Sequence, residues 1–210
     1  DGFLKYVFPI LTAINTTILI GNHLANRVKL IIRPVFTNND FLFWTQLPDI
    51  LSKDQTNYIR AYAFISYIKI LNMGSKDVEL DQWYLQLNDK LDKRRKLEPS
   101  PIHAPLIPLA NGSSIEYPVL GVKDNPSSLK SGTSVSGVSV FIANYLMDTS
   151  IYDPATHPFQ VQDHQVKAKL FTVDVFGGSS KRAINFKYKP YWEIEKLFPE
   201  LNQMIYKKQE

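Results

Sequence analysis

The stretch from Tyr58 to Asn88 constrains this chain more than any other. Two long runs rich in β-branched and aromatic residues flank the tetrapeptide Asn72-Met73-Gly74-Ser75. Ile65, Tyr67, Ile68, Ile70 and Leu71 lead into it, and Val78, Leu80, Trp83, Leu85 and Leu87 lead out. Asn and Gly tolerate positive φ, so the tetrapeptide reads as a tight reversal. The two runs predict a β-hairpin, or two strands that cross from one sheet to another. Val78 and Leu80 share one face, whereas Trp83, Leu85 and Leu87 have the other parity, so a bulge is expected at Asp81-Gln82. Further along, short aromatic-rich segments are broken by Pro and Gly, which favours an all-β chain. The expected fold is mainly β, an antiparallel sandwich over residues 27–189.

Upstream, residues 6–26 carry no charge, with Lys5 before them and Arg27, Lys29 and Arg33 after. About 20 uncharged residues suffice for a membrane-spanning helix. Thr12, Asn15, Thr16, Thr17, Asn22 and His23 dilute the stretch, yet its apolar residues leave no consistently polar face. Residues 6–26 therefore read as a transmembrane helix or, alternatively, as a buried one in a soluble protein. If they span, the excess of Arg and Lys on the C-terminal flank places the β-domain on the cytoplasmic side. Phe41, Phe43 and Trp44 follow closely, and they are expected at the membrane interface or as a cap on the end of the sandwich.

Beyond the central runs, Lys90, Lys93, Arg94, Arg95 and Lys96 form a basic cluster ahead of Pro99, Pro101, Pro105 and Pro108. The prolines predict an extended loop between sheets. A tethered domain would bring the cluster against anionic headgroups. Nucleic acid is not expected, because the cluster has no aromatic neighbour in sequence. A strand is expected over Ser134–Ala143, with Val138, Val140 and Ile142 on one face. Residues 164–189 read as a hairpin turning at Gly177-Gly178, with inward parity passing from Val166, Ala168 and Leu170 to Phe171, Val173 and Val175. In the tail, residues 190–210, Tyr191, Ile194, Phe198, Leu201 and Ile205 share one helical face that should dock on the sandwich or on a partner.

No motif in the sequence carries chemistry. The chain has no Cys, which removes disulfides, thiolate metal sites and thiol nucleophiles together. The Gly177-Gly178-Ser179-Ser180 run lacks the Lys of a phosphate loop, and Ser131-Gly132-Thr133-Ser134 has no assigned acid or base. Asp153, His157, Asp163 and His164 are the only His and carboxylate concentration, without the spacing of a known ligand set. No cofactor, metal or catalytic residue is therefore expected, and a hydrolase or metal-dependent enzyme using residues 153–164 is the least favoured alternative.

Three segments carry a family resemblance: residues 68–78 around Asn72-Met73-Gly74-Ser75, residues 129–137 around Ser131-Gly132, and residues 171–178 ending in Gly177-Gly178. Together they resemble bacterial immunoglobulin-like β-sandwich domains, which often follow a single N-terminal membrane helix. The resemblance implies a sandwich and no catalytic residue. The leading expectation is a non-enzymatic, membrane-tethered β-sandwich that presents a surface to an unknown protein partner. Phe41, Phe43, Trp44, Tyr191, Ile194 and Phe198 are the candidates for that surface. The rival is a soluble carbohydrate- or protein-binding module, with Trp44, Trp83 or Trp192 as ligand contacts.

Overall fold

The computed structural model describes residues 15–18, 29–35, 41–51, 56–90, 93–108, 113–120, 128–151, 153, 157–175 and 177–201. Its strands, in chain order, are β1 (Leu30–Pro34), β2 (Leu42–Gln46), β3 (Ile50–Leu51), β4 (Asn57–Asn72) and β5 (Val78–Leu87). Then come β6 (Arg95–Leu97), β7 (Pro99–Ser100), β8 (Leu106–Pro108), β9 (Ser114–Glu116) and β10 (Ser128–Leu129). The last four are β11 (Ser134–Asp148), β12 (Val161–Gln162), β13 (Gln165–Asp174) and β14 (Ser179–Tyr188), ahead of a short helix α1 (Tyr191–Glu195). The protein is mainly β.

Strand β4 is the axis of the fold. On one side it pairs with β11 along its whole length, from Asn57↔Asp148 to Leu71↔Ser134. On its other side lie β1, β2 and β3 in succession, opposite residues 68–72, 62–66 and 58–59. The main sheet has 12 strands and runs β10-β5-β13-β14-β2-β4-β11-β7. Residues 42–51 supply two of its strands, and the first of them carries Phe43 and Trp44. The sheet is mixed, which corrects the purely antiparallel expectation: β14 pairs with β2 in parallel, through Lys187↔Phe43 and Tyr188↔Trp44. One extended segment then curls the sheet toward closure. β6 pairs with β5 at one edge, and β7, two residues on, pairs with β11 at the other. The proline-rich segment is therefore a brace between sheet edges.

Period-2 side-chain alternation gives β4 and β11 two buried faces. Tyr62, Phe64, Ile68 and Ile70 of β4 join Phe141, Ala143 and Tyr145 of β11 in an inner core shared with β5, β13 and β14. Ala61, Ala63 and Ile65 with Val138, Val140 and Ile142 form an outer core. That outer core is roofed by Phe41, Phe43 and the C-terminal residues Ile194, Phe198 and Leu201. The C-terminal stripe therefore docks on the sheet itself, although the helix stops at Glu195 and continues as turns before Pro199. Ile205 lies outside the described residues.

The corner after β4 is not a hairpin: β4 and β5 pair with different strands. Neither Asn72 nor Gly74 has a positive φ; among described residues only Asp163, His164, Gly132 and Gly177 do. What turns the chain is the fully buried Asn72 side chain. Its Nδ2 donates to the carbonyls of Lys76 (2.7 Å) and Leu129 (3.0 Å), and its Oδ1 accepts from Gly74 N at 2.9 Å. The expected bulge is present: Val173 faces Gln82 and Asp174 faces Leu80, which leaves Asp81 unmatched. The hairpin β13–β14 is also present, from Gln165↔Lys187 to Val173↔Ser179. Its expected parity shift is not: Thr172 and Asp174 keep the buried positions, and Phe171 faces outward.

Residues 15–18 are helical, and the rest of the 6–26 stretch lies outside the described residues. Among the described residues, no helix is long and apolar enough to cross a membrane.

Candidate functional site

The outer face of β6, β5, β13 and β14 is set by strand alternation. Wherever Leu85, Leu87, Val166, Ala168, Leu170, Ile184 and Phe186 point into the core, their neighbours point out. Those neighbours are mostly cationic or carboxamide side chains. Lys96 sits opposite Gln86, which sits opposite Lys169. Tyr84 sits opposite Phe171, and Phe171 opposite Lys181. Lys167 faces Asn185, and Gln165 faces Lys187. Among described residues, none of these five lysines is paired with a carboxylate. Glu79 and Asp81 lie at the far end of β5, at and before the bulge.

At one end of this face is a depression of about 400 Å³. Five carboxamides line it: Asn88, Gln160, Gln162, Gln165 and Asn185. Asp163 and Lys167 complete the lining and balance each other's charge. No side-chain hydrogen bond ties any of these carboxamides to another described residue, so their donors and acceptors stand open. The 163–164 reversal, with φ of 49° at Asp163 and 59° at His164, forms one wall.

A second polar group lies inside the same end of the sheet. Arg60, with a fully buried side chain, donates to Asp49 (3.1 Å) and to the carbonyl of Asp153 (2.8 Å). Burial opposes its charge, but the hydrogen bond and field of Asp49 leave its pKa raised. Beside it, Tyr62 Oη lies 3.2 Å from His157 Nδ1. Burial, then the cations Arg60 and Lys90, lower the His157 pKa, against a smaller opposing pull from Asp153. Burial raises the Tyr62 pKa, so its hydroxyl stays protonated beside the His157 ring. Trp44, Phe159 and Tyr62 pack around the His157 ring. Nearby, Tyr145 donates to buried Asp89 at 2.6 Å, and Arg95 lies over the Tyr145 ring at 4.3 Å. Burial and then that hydrogen bond raise the Tyr145 pKa.

Lys90, Lys93, Arg94 and Lys96 are exposed, whereas Arg95 turns inward toward Asp89 (3.7 Å) and donates to Asn144 O at 2.7 Å. Lys96 Nζ sits 4.7 Å over the Tyr84 ring, so the fold supplies the aromatic neighbour that the sequence lacked. Phe41, Phe43 and Trp44 are buried, as are Ile194 and Phe198, and Tyr191 is half-buried. As candidates for an exposed interface, the five buried side chains are corrected by their place in the two cores. Trp83 is half-buried, and Trp192 is 61% exposed. Asp153, His157, Asp163 and His164 do not form one site: His157 faces the interior within the field of Asp153, whereas Asp163 lines the outer depression. Among described residues no three His or carboxylate side chains gather as a metal site. Sequence reading missed the carboxamide depression, because five separate Asn and Gln residues carry no motif.

No family model matches the chain. No curated protein matches it either. Solved structures give faint likenesses. A Bordetella pertussis protein described as "putative ApaA" is 13% identical, with a TM-score of 0.25 over 77% of this chain and 94% of that one. A functionally unknown protein from Listeria monocytogenes is 13% identical, with a TM-score of 0.28 over 79% and 90%. A Northeast Structural Genomics Consortium target, also 13% identical, has a TM-score of 0.23 over 78% and 89%. At these scores the likenesses carry no argument about fold or function.

Proposed function

We propose that the protein is a non-enzymatic β-domain that presents an interaction surface, tethered to a membrane through residues 6–26 with the domain on the cytoplasmic side. The observation that carries the surface is the outer face of β6, β5, β13 and β14, where, among the described residues, five lysines have no carboxylate partner and five carboxamides make no side-chain hydrogen bond. Exposed Lys90 and Lys93, in the connection between β5 and β6, suit contact with anionic headgroups, at about 1 kcal/mol per cation that reaches the surface. The tether is supported by the uncharged 6–26 stretch and its flanking cations. An immunoglobulin-like sandwich belongs to the same proposal, supported by the β13–β14 hairpin and the turn segments around Asn72, Gly132 and Gly177. Fractionation with carbonate extraction tests the tether: the full chain should stay with membranes, and release into the supernatant would remove it. A reporter fused after Glu210 that is active only outside the cytoplasm would overturn the orientation.

A second reading, a soluble carbohydrate- or protein-binding module, is favoured by the exposure of Trp192. It predicts quenching of intrinsic fluorescence by ligand, lost in Trp192→Phe.

A further inference from the structure

We infer that the outer face of β5, β13 and β14 binds an acidic, hydroxyl-rich glycan, with the carboxamide depression holding sugar hydroxyls and the surrounding lysines holding carboxylate or sulfate groups. The inference rests on the proposal that this face is an interaction surface, and names its ligand.

The depression falls within the volume range of small-molecule sites, about 300–1,000 Å³. Such sites are usually apolar, so a lining of five carboxamides selects an unusual ligand. A carboxamide offers an acceptor and two donors side by side, and a hydroxyl both donates and accepts. Neighbouring hydroxyls on a sugar ring can therefore pair with one Asn or Gln through both functions. The depression itself is electrically balanced, since Asp163 offsets Lys167. Charge enters beyond it. Lys187 and Lys181 mark rows of the sheet six residues apart, opposite Gln165 and Phe171. At about 3.4 Å per residue those rows are roughly 20 Å apart, the reach of a short oligosaccharide. Lys167 and Lys169 lie between them on β13, and Lys96 lies to the side on β6.

Two other polyanions fit less well. Single-stranded nucleic acid needs open ring faces on which bases stack. The two aromatics on this face are spent on each other: Tyr84 and Phe171 stack with centroids 5.0 Å apart and planes 9° apart, and Lys96 covers the Tyr84 ring. A bilayer would answer the lysines but leave the concave, carboxamide-lined end unfilled.

Isothermal titration of the full chain with four probes tests this: hexameric oligogalacturonate, a heparin hexasaccharide, hexaglutamate and a six-residue oligothymidylate. At least one of the acidic glycans should bind, and tighter than the last two. The double substitution Gln165→Ala with Asn185→Ala should weaken that binding about tenfold without changing its salt dependence. Lys167→Ala with Lys169→Ala should weaken it and flatten the salt dependence. All four positions are at least partly exposed, so melting temperatures should hold. Equal affinity for hexaglutamate or oligothymidylate, or an unchanged affinity in the carboxamide variant, would overturn the glycan. Binding of hexaglutamate alone would overturn the ligand class but keep the face as an interaction surface. Binding of none would overturn both.

Discussion

Replacing Phe198 with Ala tests how the C-terminal segment is held. Phe198 is 1% exposed and meets Phe41 edge-to-face, with centroids 6.5 Å apart. Ile194 and Leu201, both fully buried, flank it on the outer core. Truncating a fully buried Phe costs about 3–5 kcal/mol. The segment lies near the end of the chain, so it can detach while the sheet stays folded, which caps the global loss at the free energy of docking. A loss of about 3 kcal/mol is therefore the upper expectation. For a chain of this size each kcal/mol shifts the melting temperature by about 2–4 °C, so the melt should fall by up to about 6–12 °C. Calorimetry measures that fall. Limited proteolysis separates its two sources, because detachment exposes the chain after Lys189 to early cleavage. A melting temperature within a degree of the parent, with no new cleavage there, would refute the docking.

Three further outcomes are expected. At Gly137 an added Cβ would sit 2.7 Å from Leu120 N and 2.9 Å from Pro118 O, where Leu120 N and Val138 N make backbone bonds, so Gly137→Ala should cost about 1–3 kcal/mol by denaturant titration; a neutral result would mean that this crossing is loosely packed. Asp89→Ala leaves the Tyr145 hydroxyl without its acceptor and should cost about 2 kcal/mol, whereas Asp89→Asn should cost less; equal losses would show that the carboxylate oxygen at Tyr145 is unimportant. The lowered His157 pKa means that the unfolded chain takes up a proton first as pH falls, so stability should drop on acidification from about pH 7, through the ordinary value of about 6.5, until the folded ring also titrates. His157→Gln should remove that part of the slope, and an unchanged slope, or a folded His157 that titrates at or above 6.5, would contradict it.

Much of the fold could be read from local patterns. The bulge at Asp81 showed as a parity switch because one face of β5 is buried, and any extra residue must flip the alternation. The β13–β14 hairpin showed because Lys167, Lys169 and Lys187 alternate with apolar residues on both sides of a Gly-rich turn. Partner choice was not legible. Asn72 looked like a positive-φ residue, but it works through side-chain bonds to Lys76 and Leu129, and only the folded chain brings Leu129 there. The inward parity at the end of β13 was misread for a similar reason. Buried Asp174 accepts from Gly178 N and holds the turn, while Phe171 gains a cross-strand stack with Tyr84. The site was half visible. The lysines of β13 and β14 mark solvent-facing positions in sequence, but their union with Lys96 and the carboxamides depends on pairings between residues far apart in the chain.

The central claim is that the outer face of β5, β13 and β14 is the working surface of the protein. Amide chemical-shift mapping during titration with oligogalacturonate addresses it most directly. Shifts should cluster at Asn88, Gln160, Gln165, Lys167, Lys169 and Asn185, leaving Ile194, Phe198 and the β4–β11 pairing unmoved. Shifts centred on the roof around Trp192, or scattered evenly over exposed lysines across the whole surface, would contradict it.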